Sequence, residues 1–249
     1  MSFILWGAAK GAAITKGKMM LNGLETIQKV RESQSDTLLA FSTGKDAIAA
    51  WLAIRPHFDR VLPYYLYSVP GLEFVEESLD YYERKFDTKI TRLPHPSLHR
   101  KLNNFVFQPP ENCLVIEQAK LPNHSYVHIH SAMCKKFAIP TSTLIADGVR
   151  SADSPIRRVA IMKYGTIKPH LNKYHPVWDW KKADLVAAFK QHDVRLPIDY
   201  QLFSRTFDGI DLRFLLPLKK HRPADYRKVL EWFPLADLEV FRWECAHGH

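Results

Sequence analysis

Short apolar runs alternate with amphipathic patterns over the first 93 residues of the chain. Apolar residues that recur every three positions between charges predict a helix over residues 21–30. A continuous apolar run over residues 37–41 predicts a buried strand, and polar residues 42–46 separate it from the next apolar segment. The same reading predicts strands over 61–67 and 88–93, and helices over 47–54 and 73–86.

The pattern is weaker beyond residue 93. Residues 94–122 show no clear period and predict a long excursion over the sheet. Helices are predicted over 125–137, 181–192 and 224–233, a strand over 142–146, and a polar, histidine-rich tail from Leu235. Strands that alternate with helices indicate an α/β fold, with a mostly parallel sheet that is flanked by helices and joined by right-handed crossovers.

The domain organisation follows from the lack of any boundary signal. The sequence contains no internal repeat, no low-complexity segment and no Gly/Ser-rich linker. We therefore expect one α/β domain over residues 1–200, with a C-terminal helical extension over 201–249 that packs on the same domain.

Composition excludes several classes of protein. The 249 residues are 46% hydrophobic and 24% charged, which is typical of globular proteins and not of disordered, collagen-like or coiled-coil chains. No stretch approaches the ~20 apolar residues that a membrane-spanning helix needs. The apolar run 3–6 is short and lysines follow it, so it makes a poor signal peptide. We expect a cytoplasmic protein without a membrane partner.

Charge and cysteines narrow the possible partners. The net charge of +9 favours anionic partners such as nucleotides or nucleic acid, although it also serves solubility. The three cysteines, Cys113, Cys134 and Cys245, are widely spaced and suit a reducing compartment. They cannot supply the four thiolates of a usual iron–sulfur cluster, so we expect no such cluster.

The turn Ser42–Asp46 joins a strand directly to a helix and is a candidate phosphate site. Ligands of parallel sheets bind beyond the carboxyl ends of the strands, where a helix N-terminus offers unpaired N–H groups. Gly44 permits close approach of an anion, Lys45 adds positive charge, and Ser42 and Thr43 add hydroxyl donors. Asp46 can cap the helix or hold Mg²⁺. The alternative is an ordinary helix cap without a ligand.

Residues 41–46, Phe-Ser-Thr-Gly-Lys-Asp, resemble the PP-loop of the adenine-nucleotide α-hydrolase superfamily. This group includes N-type ATP pyrophosphatases, phosphoadenosine phosphosulfate (PAPS) reductases and the small subunit of bacterial ATP sulfurylase. The usual loop reads Ser-Gly-Gly-x-Asp-Ser. Here Thr43 replaces the first glycine, and Ala47 replaces the final serine and removes one hydroxyl.

Four further segments resemble elements of the same superfamily, in the same order. They are residues 67–78, residues 133–140 with Cys134, residues 147–158 with Asp153 in place of Glu, and residues 175–200 with Trp180, Asp184, His192 and Pro197 at the family spacing. The resemblance covers about residues 37–200. It implies a Rossmann-like, HUP-type fold that binds an adenine nucleotide, ATP or PAPS, with Mg²⁺.

The resemblance also implies roles for single residues. In the ATP-using branch Ser42, Thr43, Gly44 and Lys45 would hold phosphates and Asp46 would help to place Mg²⁺. Arg150 would neutralise charge as the α–β bond breaks and pyrophosphate leaves. Arg157 and Arg158 would also bind phosphate, since one guanidinium group can donate two parallel hydrogen bonds to two oxygens of a phosphate. The alternative for these arginines is a solvated loop paired with Asp147 and Asp153.

The C-terminus offers a second reaction. Glu244, Cys245 and His247 resemble the Glu-Cys-Gly-Leu-His tail of PAPS reductases, although Ala246 replaces the glycine. The resemblance implies that the Cys245 thiolate attacks the sulfonate sulfur and that thioredoxin then resolves the enzyme intermediate. The alternative is a cysteine without a role near a mobile terminus. Because the loop resembles the ATP-using branches more, adenylyl transfer is the first hypothesis.

A third hypothesis is a non-catalytic nucleotide sensor or nucleic-acid-associated regulator. Basic and aromatic residues interleave in the last third of the chain, as in surfaces that follow a nucleic-acid backbone. The alternative is an amphipathic helix with its lysines and arginines in water. The residues concerned are Arg213, Lys219, Lys220, His221, Arg222, Tyr226, Arg227, Lys228, Trp232 and Trp243. The oligomeric state remains open.

Overall fold

The computed structural model describes residues 20–248, so the apolar run 3–6 and His249 lie outside the described residues. Six strands form one sheet in the order β3-β2-β1-β4-β6-β5. The strands are β1 (Asp36–Ala40), β2 (Arg60–Tyr67), β3 (Thr91–Pro94), β4 (Ile145–Ala146), β5 (Ile167–Lys168) and β6 (Lys173–Tyr174). The four pairings from β3 across to β6 are parallel. The predicted α/β class is therefore confirmed.

Helices flank this sheet. They are α1 (Gly23–Arg31), α2 (Lys45–Ile54), α3 (Glu73–Phe86), α4 (Pro96–Asn103), α5 (Pro110–Ala119), α6 (Tyr126–Phe137), α7 (Pro155–Tyr164), α8 (Lys182–Gln191), α9 (Ile198–Phe203), α10 (Leu212–His221), α11 (Pro223–Trp232) and α12 (Asp237–His247). Six predicted helices correspond to α1, α2, α3, α6, α8 and α11. No helix within residues 20–248 combines the length and the apolar character needed to cross a membrane.

One part of the sequence prediction is wrong. Residues 94–122 contain α4 and α5 rather than an irregular excursion; α5 buries no residue fully, so it leaves no apolar stripe. The sheet is mostly parallel, as predicted; only β5 runs antiparallel to β6 among the described strands, because the four residues 169–172 that join them are too few for a crossover. The tail from Leu235 contains α12, which buries Val240 alone. The sequence pattern also missed α7, α9 and α10.

The main hydrophobic core lies on one side of the sheet. Leu39 of β1 and Tyr65 of β2 pack there with residues of α2 and α3. Phe214 of α10, Val229 of α11 and Val240 of α12 belong to the same cluster. The two predicted segments therefore share this core, while the division at residue 200 stays a prediction.

The other side of the sheet has a much smaller core, to which α6 contributes Ile129, Met133 and Cys134 against strand residues such as Leu38 and Tyr64. Burial raises the pKa of the Cys134 thiol. His130 contacts the Thr143 carbonyl at 2.7 Å, and within residues 20–248 no three His, Cys, Asp or Glu side chains come together as a metal site. Cys134 and His130 are thus part of the packing of α6.

The order of the strands places a switch point beside β1. The chain runs outward from β1 to β2 and β3, then returns to add β4 on the other side of β1. At such a point the loops after the two neighbouring strands diverge and leave a crevice, in which open α/β sheets bind their ligands. The Ser42–Asp46 turn follows β1, and residues 147–150 follow β4.

Candidate nucleotide site at the switch point

The turn after β1 holds an unusual backbone conformation. Thr43 has φ of 59°, and among the described non-glycine residues with positive φ it alone is β-branched. Left-handed backbone costs such a residue about 1–2 kcal/mol. Thr43 is buried, and its hydroxyl donates to the Ser42 carbonyl at 2.6 Å. The turn therefore keeps the backbone form that suits glycine, at the position where the PP-loop pattern has glycine.

This conformation leaves backbone donors free at the start of α2. Gly44 is the N-cap and makes no side-chain capping bond. Among the described residues, the N–H groups of Thr43, Gly44 and Asp46 have no hydrogen-bond partner, while Lys45 N–H meets the Tyr200 hydroxyl at 3.4 Å. Unpaired N–H groups and the helix dipole together favour an anion at this position.

Arg150 joins the loop after β4 to the first turn of α2. Its Nε donates to Asp46 Oδ1 at 2.7 Å, and its other two nitrogens donate to Asp153 Oδ1 at 2.6 Å and the Trp180 carbonyl at 3.2 Å. The residue is only 4% exposed. Because all three nitrogens already have protein acceptors, Arg150 orients Asp46 and holds the two loops together.

Gly148 makes this close approach possible. A Cβ at this position would lie 2.5 Å from the carbonyl carbon of Asp46 and 2.8 Å from Ala47 N. These are backbone atoms, so no side chain can move aside. The loop after β4 therefore rests directly on the first turn of α2.

A crevice of about 380 Å³ opens beside the Ser42–Asp46 turn, here called the phosphate turn, at the carboxyl ends of β1 and β2. Ser42 lies at one end, and Tyr64, His95 and Tyr126 form part of its wall. Burial and the nearby Lys101 and Arg100 lower the pKa of His95. Asp208, the only carboxylate that lines this crevice among the described residues, is paired with Arg205 at 2.8 Å.

The segment from Asp199 to Asp208, here called the cover loop, lies over the phosphate turn. Tyr200 meets Lys45 N–H, and a Cβ on Gly44 would lie 2.8 Å from the Thr206 hydroxyl oxygen. Asp199 accepts the Phe207 N–H at 2.9 Å and closes the loop. Burial raises the pKa of Asp199, against this hydrogen bond. Tyr200 and Thr206 thus lie beside the N-terminus of α2.

A buried pair stands behind the loop after β4. His175 Nδ1 lies 2.6 Å from Asp147 Oδ1, which also accepts the Val149 N–H at 3.1 Å. His175 Nε2 is buried without a partner among the described residues. Asp147 therefore pairs with His175, and not with an arginine as the solvated-loop alternative expected.

The remaining arginines lie on α7. Arg157 donates to Asp153 Oδ2 at 2.9 Å and thereby connects to Arg150. Arg158 is exposed and makes no ion pair among the described residues. The alternative interpretation was a solvated loop whose arginines pair with Asp147 and Asp153. Arg150 and Arg157 do pair with Asp153, but Arg150 is buried and not solvated.

Cys245 lies apart from the phosphate turn. It is exposed on the last turn of α12, and no residue of α12 lines the crevice. Its neighbour Glu244 pairs with Lys219 of α10 at 2.7 Å. Residues 42–46 and Arg150 are therefore brought together, whereas Cys245 joins neither.

The side chains at the turn fit a magnesium ion that arrives with nucleotide phosphates. Mg²⁺ usually takes one or two carboxylates and keeps phosphates and waters as its other ligands. Asp46 Oδ1 is held by buried Arg150, whereas Oδ2 is held by the half-exposed Lys45 at 2.7 Å. Asp46 Oδ2 is thus the oxygen that can be released to a metal.

Several groups of the site escaped the sequence analysis. Gly148 and Asp153 lie inside a segment that resembles the superfamily, but no spacing identified their contacts with α2 and Arg150. Tyr200 ended another such segment without a role. Thr206 and His95 left no signal, because the contacts that place them beside Gly44 and Ser42 depend on the tertiary fold.

Comparison with known proteins does not assign a family. No protein-family model matches the chain, and no curated protein sequence matches it. Among solved structures, the chain is similar to the NH3-dependent NAD synthetase of Campylobacter jejuni, with 11% identity over 88% of this chain and 92% of that chain and a TM-score of 0.43.

Two further solved structures show similarity at the same low level. The U34-tRNA thiolase NcsA of Methanococcus maripaludis, solved with its 4Fe–4S cluster, gives 12% identity, 86% and 78% coverage and a TM-score of 0.41. A predicted subunit of tRNA methyltransferase from Methanocaldococcus jannaschii gives 15% identity, 78% and 93% coverage and a TM-score of 0.35. At these identities and TM-scores, the similarities assign no function to this chain.

Proposed function

We propose that this chain binds ATP with Mg²⁺ at the switch point and cleaves the α–β phosphate bond, with adenylyl transfer and release of pyrophosphate. The observation that carries the proposal is the set of free N–H groups on the Ser42–Asp46 turn, which opens on the crevice at the carboxyl ends of the strands. The choice of nucleotide and of bond rests on the resemblance of residues 41–46 to the PP-loop.

The proposed roles follow from the contacts of each group. The N–H groups of Thr43 and Gly44 and the Ser42 hydroxyl would bind the β- and γ-phosphates, and Lys45 would turn from Asp46 toward them. Magnesium, when bound with the nucleotide, supplies positive charge to the phosphate oxygens of the leaving pyrophosphate. Arg150 holds Asp46 in place for this and is a positioning residue.

Strain at Thr43 supports a ligand at this turn. A buried β-branched residue in left-handed backbone persists only where the surrounding structure enforces it, and such residues concentrate at functional sites. A simple helix cap needs no such conformation, because an N-cap residue is ordinarily extended, as Gly44 is here.

The test is equilibrium binding of Mg-ATP and of PAPS to one preparation by calorimetry, together with an assay of pyrophosphate release. Lys45→Gln should weaken Mg-ATP binding about tenfold, since it removes one charge-assisted hydrogen bond. Lys29→Gln is the matched control, because Lys29 also forms a surface ion pair on a helix, with Glu32, on α1. Equal losses in both variants would contradict the proposal.

The remaining outcomes separate the other two hypotheses. Preference for PAPS, with sulfite release that Cys245→Ser abolishes, would replace adenylyl transfer by thioredoxin-dependent reduction. Tight Mg-ATP binding without pyrophosphate release, whatever acceptor is added, would support a nucleotide sensor. Binding of neither nucleotide would reduce the turn to a helix cap.

A further inference from the structure

The positive charge of the chain is concentrated in one segment. Residues 88–178 contain 13 lysines and arginines against four aspartates and glutamates, so this segment alone carries the net charge of +9. The rest of the chain holds 22 of each sign. The excess of positive over negative charge therefore lies outside the C-terminal segment in which basic and aromatic residues interleave.

The two regions also differ in how their charges are paired. Only four of the 13 cations in residues 88–178 have a carboxylate within 4.0 Å among the described residues. The nine others are Arg100, Lys101, Lys120, Lys135, Lys136, Arg158, Lys163, Lys168 and Lys173. In the last third, by contrast, ion pairs neutralise Arg205, Arg213, Lys219, Arg222, Lys228 and Arg242.

Some of the unpaired cations lie close to residues that line the crevice. Lys173 Nζ lies 5.6 Å from the ring centroid of Tyr126, and the Tyr126 hydroxyl lies 3.0 Å from His95 Nε2. His95 is the N-cap of α4, and the exposed Arg100 lies on that helix. We call the border formed by these residues together with Lys101 and His124 the rim. It runs from β6 past the start of α6 to α4, opposite Ser42.

The rim combines cations with an exposed aromatic ring. Tyr126 is 52% exposed although its ring contacts a lysine, and a base can stack on such a ring. Unpaired lysine and arginine side chains on both sides of the ring suit a phosphate backbone. An acidic protein surface would use the cations but would leave the ring and the concave crevice beside it without a partner.

We propose that the rim binds single-stranded nucleic acid, with one base stacked on Tyr126 and the adjoining phosphates on Lys173 and Arg100. The site goes beyond the proposed nucleotide chemistry and does not require it. It also differs from the basic surface predicted in the last third of the sequence, since its cations lie on α4 and β6 and its aromatic ring lies on α6.

The experiment measures fluorescence anisotropy of labelled 20-nucleotide RNA, single-stranded DNA and duplex DNA between 50 and 200 mM KCl, without nucleotide. Removal of one cation that binds a phosphate should lower the slope of log Kd against log salt by about 0.7 for a single strand. The double variant Arg100→Gln/Lys173→Gln should therefore lower the slope by about 1.4. Tyr126→Ala should weaken binding about 5- to 150-fold and leave the slope unchanged.

The control is Lys220→Gln/Arg227→Gln, which removes the same charge from exposed and unpaired residues of the last third. Tyr126→Phe separates the ring from its hydroxyl and should retain binding. Thermal unfolding of every variant verifies folding. Equal slope changes in both double variants, an unchanged affinity in Tyr126→Ala, stronger binding to duplex than to single strands, or no binding at 50 mM KCl would overturn the proposal. A higher affinity for RNA than for single-stranded DNA, or the reverse, would show which nucleic acid the rim binds.

Discussion

Replacement of Gly148 by alanine tests the contact between the two loops at the switch point. The added Cβ would lie 2.5 Å from the carbonyl carbon of Asp46, whereas ordinary van der Waals contacts begin at 3.4 Å. The loop after β4 must therefore withdraw from α2 by about 1 Å. Overpacking of this kind costs about 1–3 kcal/mol of unfolding free energy.

The same displacement should affect ligand binding. Arg150 Nε and Asp46 Oδ1 are 2.7 Å apart, and a shift of 1 Å takes them out of hydrogen-bond range. Asp46 would lose its fixed position, and we expect Mg-ATP affinity to fall at least about tenfold, the effect of one charge-assisted hydrogen bond.

The assay is urea unfolding, followed by fluorescence, together with calorimetric titration of Mg-ATP. With a denaturant slope of about 2 kcal/mol/M, the midpoint should fall by about 0.5–1.5 M. Gly209→Ala is the control, because its nearest neighbour would be the Asp211 side chain at 3.3 Å, which can move aside. If Gly148→Ala retains the wild-type midpoint and affinity, the loops are not in the contact described, and the role given to Arg150 is wrong.

Three further substitutions test separate parts of the argument. Tyr200→Phe frees the Lys45 N–H for a phosphate oxygen and should tighten Mg-ATP binding about two- to fivefold in calorimetry; weaker binding would make Tyr200 a ligand instead. Thr43→Gly relieves left-handed strain and should change the unfolding free energy by less than about 1 kcal/mol, whereas Thr37→Gly in extended, buried β1 should lower it by at least about 2 kcal/mol; equal losses would disprove the strain. Burial raises the pKa of Glu83, but hydrogen bonds from Ile90 N–H, Lys89 and Arg92 outweigh burial and hold the pKa below its ordinary value. The resulting stability is present above pH 4.5 and is lost as the pH falls through the folded pKa, so the difference between the urea midpoints of Glu83→Gln and wild type should be largest at pH 7 and shrink as the pH falls below 4.5; a constant difference would refute this linkage.

The sequence predicted those elements whose side chains face one large core. α3 has a clear stripe because one face packs against the sheet, and β1 is apolar from Leu38 to Ala40 because both faces of the strand are covered there. α7 was missed because Ile161 alone is buried, while Ile156 is 83% exposed. Periodicity reports burial, so helices that bury little give no usable pattern.

The candidate site was predictable only in part. The order strand, polar turn, helix identified residues 42–46, since these contacts lie close in sequence. Arg150, which holds Asp46, lies 104 residues further along the chain, and Tyr200 lies 155 residues from Lys45, whose N–H it contacts. Arg150, which the resemblance places at the phosphates, donates hydrogen bonds to Asp46, Asp153 and the Trp180 carbonyl. Only the tertiary structure shows these acceptors.

The small core beneath α6 has a consequence for motion. Few buried side chains hold this helix to the sheet, so its free energy of local opening should lie well below that of global unfolding. Amide hydrogens of α6 should then exchange with solvent faster than those of α2, which buries six of its ten residues. Because Tyr126 begins α6, single-stranded nucleic acid bound across the rim should slow this exchange, and deuterium uptake of α6 would then report occupancy of the rim.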